Sequence, residues 1–151
     1  MNRYCRVKVC ALLFGTKLLN LQKRVAMKKA VQIDGAPAPL GPYSQAILSN
    51  DTVYVSGQIP LNAFTGQLEV ESIEAATHRV LQNIELLLKE AGMTLENIVK
   101  CSIFMIDLGQ FSNMNAVYGS YFKETPPARE TVQVSRLPMD VPIEISCIAV
   151  R

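Results

Sequence analysis

From Ser72 to Ala91 the chain places Ala76, Val80, Ile84, Leu87, Leu88 and Ala91 at helical spacing, and Gly92 stands where a left-handed C-cap ends such a run. A helix with one apolar stripe cannot bury it alone, so the rest of the fold has to supply a sheet. Strand candidates are Lys28 to Ile33, Ser44 to Leu48, Thr52 to Ser56, Ile98 to Ile106, Thr131 to Val134 and Ile143 to Val150. Ser49-Asn50-Asp51 reads as the turn of an antiparallel hairpin, and three prolines between Gly35 and Pro42 impose an extended loop. A second loop, Pro60 to Gly66, leads into the helix. In the strand Ile98 to Ile106, alternation predicts Val99, Cys101, Ile103 and Met105 on one face. A second helix is predicted from about Ser112 to Phe122, with Ser112 as N-cap and Met114, Val117, Tyr118 and Tyr121 packing inward.

The order ββ(β)αβαββ describes an α+β sandwich with two helices on one face of a mostly antiparallel sheet. Its other face is expected to be apolar, and a chain of 151 residues commonly covers such a face by oligomerising. Length and a hydrophobic content of 49% fit one packed domain.

Charge is unevenly spread. Residues 1–26 hold six basic groups (Arg3, Arg6, Lys8, Lys17, Lys23 and Arg24) and no acidic one, which leaves nine basic against 13 acidic groups, a net charge of −4, for residues 27–151. A nucleic-acid surface needs clustered cations on the fold itself, so small polar ligands are the expected partners. The chain is therefore divided into a basic extension, residues 1–26, and a folded domain, residues 27–151. The patch Val9 to Phe14 is too short to span a bilayer, and no cleavage pattern follows it. Met27 as the true start implies a cytoplasmic protein. The alternative is a mitochondrial presequence, although Thr16 is the extension's one aliphatic hydroxyl residue, with no serine beside it.

Cys5 and Cys10 lie in the extension, while Cys101 and Cys147 sit in apolar strands, where a free thiol behaves as a small core residue. With no CxxC and a single histidine, His78, in the middle of a helical pattern, no metal site is expected. His78 reads as a helix-surface or packing residue.

Three features carry chemistry. Arg129 follows Pro126-Pro127-Ala128, and a guanidinium on a stiff backbone suits bidentate recognition of a carboxylate; a surface salt bridge is the plainer alternative. Glu144 falls on the strand face opposite Ile143, Ile145 and Cys147. A carboxylate on a partly apolar face can orient or activate water, whereas a wet face would simply solvate it. In Val53-Tyr-Val-Ser-Gly-Gln-Ile-Pro60, Ser56 ends a strand and Gly57 permits close backbone approach. Tyr43, in Gly41-Pro-Tyr-Ser-Gln45, is either a packing aromatic or a pocket wall.

Taken in order, Gly41-Pro-Tyr-Ser-Gln, Ser56-Gly-Gln-Ile-Pro, Asn115-Ala-Val-Tyr, Pro127-Ala-Arg, and Arg136-Leu-Pro-Met-Asp through Ile143-Glu-Ile resemble the successive signatures of the Rid (reactive intermediate deaminase) family, from about Lys28 to Arg151. The resemblance implies a chorismate-mutase-like α+β fold assembled as a homotrimer, with clefts at the subunit boundaries. It implies hydrolysis of 2-iminobutanoate, 2-iminopropanoate and their enamine tautomers, by-products of pyridoxal-phosphate enzymes, to 2-keto acids and ammonia, without a cofactor. It further implies that Arg129 holds the substrate carboxylate, Glu144 positions water, and Tyr43, Ser56, Gly57 and Asn115 shape the cleft. Thr131 departs from relatives with cysteine at this place, which removes a thiol nucleophile there. Two rival functions are a ligand-binding or chaperone-like trimer without turnover, and RNA cleavage or translation inhibition.

Overall fold

The computed structural model describes residues 28–34 and 41–151. The basic extension, with Cys5 and Cys10, and most of the proline-rich loop lie outside the described residues. Strands β1 (Lys28–Val31), β2 (Ala46–Ser49) and β3 (Thr52–Gln58) come first, followed by helix α1 (Ile73–Glu90), strand β4 (Ile98–Met105), helix α2 (Phe111–Tyr121), and strands β5 (Ala128–Gln133) and β6 (Ile143–Val150). They form one sheet in the order β1-β2-β3-β6-β4-β5. Every pairing is antiparallel except β4 with β5, which is parallel. This is the α+β sandwich expected from the order of elements.

Local signals explain the helix ends. Ser72 accepts a hydrogen bond from the Ala75 amide at 3.1 Å, satisfying one free donor of the first turn of α1. At the other end Gly92 takes φ +70° while the Met93 amide donates to Leu88 O and the Gly92 amide to Lys89 O, a Schellman motif. The second helix begins differently from expectation. A 3₁₀ turn, Leu108–Gln110, precedes it, and Asp107 rather than Ser112 receives an amide, that of Gly109, at 2.7 Å. Helix α2 starts at Phe111, and Ser112 is exposed.

Both helices cover one face of the sheet. Val53 and Val55 of β3, Ile143, Ile145, Cys147 and Ala149 of β6, and Cys101, Ile103 and Met105 of β4 pack in one cluster with Val80, Ile84, Leu87, Leu88, Met114 and Tyr118. Tyr121 packs against the cluster partly buried. The expected inward face of β4 is wrong at one place. A register shift against β6 inserts an extra residue between Ile98 and Lys100, so Ile98 is buried at 5% exposure and Val99 turns outward at 49%. The uncovered face is mixed rather than apolar, presenting Tyr54, Val132 and Val150 beside Lys100, Ser102, Glu130 and Glu144. No described helix is long and apolar enough to cross a membrane.

The bulge makes a sharp prediction. Ile98→Ala should cost about 2–5 kcal/mol in urea denaturation, as for a buried isoleucine, and Val99→Ala no more than about 0.5 kcal/mol, as for a surface position. Equal costs would mean that the register of β4 is different.

Candidate active site

The alternation of β6 delivers Glu144 to the uncovered face, opposite Phe104 on β4 and away from the helices, as its sequence position predicts. The carboxylate fits there because of Gly57. Between Val55 and Gln58, β3 carries one more residue than the β6 segment it pairs with, and this bulge holds Ser56 and Gly57 inside the strand rather than at its tip. A Cβ built on Gly57 would stand 1.8 Å from Glu144 Oε1, so only glycine leaves room for the carboxylate in this position. Glu144 is partly buried and has no hydrogen-bond partner among the described residues. Burial pushes its carboxyl above the ordinary glutamate value of 4.5.

Ser56 is tied to the start of β2. Its hydroxyl donates to Gln45 O at 2.8 Å and its amide to the same oxygen at 3.0 Å, leaving the hydroxyl oxygen free to accept. Gln45 Oε1 in turn receives the Ile33 amide at 2.9 Å. Tyr43, two residues before Gln45, projects outward at 56% exposure. The structure thus gathers Ser56, Gly57 and Glu144 on one side of the β3–β6 pair.

Arg129 belongs to a different constellation. The parallel register of β5 on β4 sets it beside Cys101, on the helix-covered face. Its guanidinium carbon lies 4.6 Å from the centre of the Tyr118 ring and 5.7 Å from that of Phe111. Phe111, Asn115 and Tyr118 share one face of α2 at helical spacing, so exposed Asn115 lies along the same stack. The Arg129 guanidinium makes no hydrogen bond or ion pair among the described residues. The adjacent carboxylate, Glu130, points to the opposite face and is bound by Lys100 and Ser102. These bonds, that of Lys100 first, hold its carboxyl below the ordinary value.

Arg129 and Glu144 do not meet within one chain. They occupy opposite faces, two strands apart and three residues out of step along β4, a backbone separation of about 14 Å from strand spacing and rise. A concavity of about 340 Å³ at the start of α1, lined by Val70, Ser72, Ile73, Asp107, Gln110 and Pro142 among others, involves none of the six candidate residues.

The cysteines behave as core. Cys101 and Cys147 are free, buried and directly opposite each other on β4 and β6, and burial raises both thiols. His78 is exposed, with Nδ1 3.0 Å from the Tyr121 hydroxyl. No group of three or more metal-ligating side chains occurs among the described residues. Sequence reasoning missed the aromatic bed under Arg129, assigning Tyr118 to packing alone; the spacing of Phe111, Asn115 and Tyr118 was the available signal. It also missed the Thr131 hydroxyl, two residues beyond Arg129, which is buried without a partner.

The family described as Endoribonuclease L-PSP matches residues 33–151. Reactive Intermediate Deaminase A, chloroplastic, of Arabidopsis thaliana is 42% identical over 131 residues, 87% of this chain and 70% of that protein. The crystal structure of YyfA from Yersinia pestis, described as a protein of unknown function of the conserved Rid protein family, is 45% identical with a TM-score of 0.78, covering 83% of this chain and 100% of that one. That of E. coli TdcF with bound serine is 38% identical with a TM-score of 0.78, covering 82% of this chain and 99% of that one. With a match running from residue 33 to residue 151 and a fold that superposes on solved members, the chain belongs to the L-PSP, or Rid, family.

Proposed function

We propose that this protein is a hydrolytic deaminase that converts 2-imino acids such as 2-iminobutanoate and 2-iminopropanoate, with their enamine tautomers, to 2-keto acids and ammonia. The observation that carries the proposal is a pair of unengaged groups: a partly buried guanidinium with no carboxylate partner, and a partly buried carboxylate with no donor. Each is costly to bury unless a ligand completes it. The name of the Arabidopsis relative, a reactive intermediate deaminase, and the serine bound to E. coli TdcF point to small ligands of the same chemistry.

Arg129 anchors the substrate carboxylate through a two-point contact, which leaves the imine carbon in a fixed place. Glu144 takes a proton from water as its oxygen attacks that carbon and passes it to the imine nitrogen, giving the carbinolamine; it then takes the carbinolamine hydroxyl proton and delivers it to the same nitrogen, so that the C–N bond breaks, the C=O bond forms and ammonia leaves. The balance is one imine and one water to one ketone and one ammonia, so no redox partner enters. A glutamate raised towards neutrality by burial suits both halves of this exchange. Tyr43, Ser56, Gly57 and Asn115 line the cleft. Because the guanidinium and the carboxylate face opposite ways in one chain, the cleft is completed by a neighbouring copy, in a homotrimer. Edge strand β5, which carries Arg129, is open to such a neighbour. The domain works in the cytoplasm, on imines released by pyridoxal-phosphate enzymes.

RNA cleavage is the rival suggested by the family's description. Against it stand the acidic balance of residues 27–151 and the single histidine, His78, which pairs with Tyr121. A ligand-binding trimer without turnover would keep Arg129 but not require Glu144.

The decisive experiment measures 2-oxobutanoate formed from imine generated in situ by a threonine dehydratase. Glu144→Gln should lower the catalysed rate about 10²–10⁴-fold, the usual contribution of a general base. Arg129→Lys should lower kcat/KM about 10–100-fold, as expected for a lost charge-assisted bidentate contact. A wild-type rate equal to the spontaneous one would sink the enzymatic proposal.

Stability should also respond to Glu144. As pH rises past 4.5 the unfolded chain releases this proton first, and the native state, holding it longer, loses stability until its own higher pKa is passed. The stability of wild type relative to Glu144→Gln should therefore fall as pH rises above about 4.5 and level off only once the raised native pKa has been passed. A difference that stays flat with pH would show a fully solvated carboxylate.

A further inference from the structure

We propose that Tyr118 is a positioning residue that presets Arg129 to receive a carboxylate, and that its ring, not its hydroxyl, does so. The proposal deepens the proposed function, since it rests on Arg129 as the carboxylate anchor. An arginine on an edge strand has four side-chain torsions to fix before it can present a two-point contact, and fixing them beforehand removes that cost from binding. The guanidinium carbon lies 4.6 Å from the Tyr118 centroid, inside the distance at which a ring face attracts a cation. No protein acceptor among the described residues engages the guanidinium N–H groups, which leaves them free for two carboxylate oxygens.

Tyr118 is suited to hold and not merely to touch. It is 4% exposed, belongs to the main core cluster and packs on Phe122 with ring centres 4.6 Å apart. Phe111, the second ring near Arg129, is 36% exposed and farther away, so it follows the guanidinium more than it fixes it. The Tyr118 hydroxyl is buried beside the Cys101 thiol without a hydrogen-bond partner of normal geometry, so it contributes nothing that a ligand would read. Nor does a protein carboxylate compete for the preset fork. Glu130, the neighbour in sequence, is drawn to the other face by Lys100 and Ser102.

Two measurements test this. In the coupled imine assay, Tyr118→Leu should raise KM about tenfold with kcat changed less than about threefold, in line with loss of a partly desolvated cation–π contact, and Tyr118→Phe should restore the wild-type KM. An unchanged KM in Tyr118→Leu, or a Tyr118→Phe as impaired as Tyr118→Leu, overturns the proposal. Should the leucine variant fail to fold, Tyr118→Met keeps most of the volume without the ring and is read in the same way. The second measurement does not need turnover: the Nε–Hε resonance of Arg129 followed by NMR during titration with 2-oxobutanoate. A ring-current shift present in wild type and Tyr118→Phe but lost in the leucine or methionine variant, with about tenfold weaker binding, upholds the proposal even if the wild type hydrolyses no imine. Equal shifts and affinities overturn it even if the imine is hydrolysed.

Discussion

The alternation of strand β6 is the constraint on which the site depends. Its odd-numbered residues, Ile143, Ile145, Cys147 and Ala149, are sealed under the helices, so Glu144 has only the uncovered face to occupy. Strand β5 runs parallel to β4 in a register that gives Arg129 the opposite face. One chain therefore presents the guanidinium and the carboxylate on opposite faces of its sheet. Neither can be brought to the other's face without turning a whole strand over and exposing its apolar residues.

The uncovered face shows how one sheet keeps two carboxylates in different states. Glu130 is engaged by Lys100 and Ser102, and its carboxyl is held low. Glu144 sits against Gly57 with no donor, and burial holds its carboxyl high. Environments that push two like groups apart separate a carboxylate held ionised from one that keeps its proton to higher pH.

Much of this is legible in the chain. The apolar stripe of α1, its serine cap and its terminal glycine are local signals, and each acts within one or two turns. The face assignment of Glu144 needs only a period of two. Less legible are features set by a neighbouring strand or helix. The extra residue at Val99 breaks the period in β4 because β6 pairs around it, and nothing in Ile98-Val99-Lys100 distinguishes it from a regular strand. Ser112 has the residue type of a cap, yet α2 already includes it. The chain winds into a 3₁₀ turn soon after β4, and Asp107 accepts the Gly109 amide there, so the helix is entered from that turn and not from a serine. The placing of Arg129 over Tyr118 likewise depends on how β5 registers against β4, which the loop Pro126-Pro127-Ala128 does not specify by itself.

The opposed thiols of Cys101 and Cys147 have a consequence for handling the protein. Both are buried, and burial disfavours the thiolate that alone reacts. Modification of either one must await separation of the helices from the sheet. The rate at which a small alkylating reagent enters these positions therefore times the opening of the core, giving a clock for breathing motions that is built from native residues.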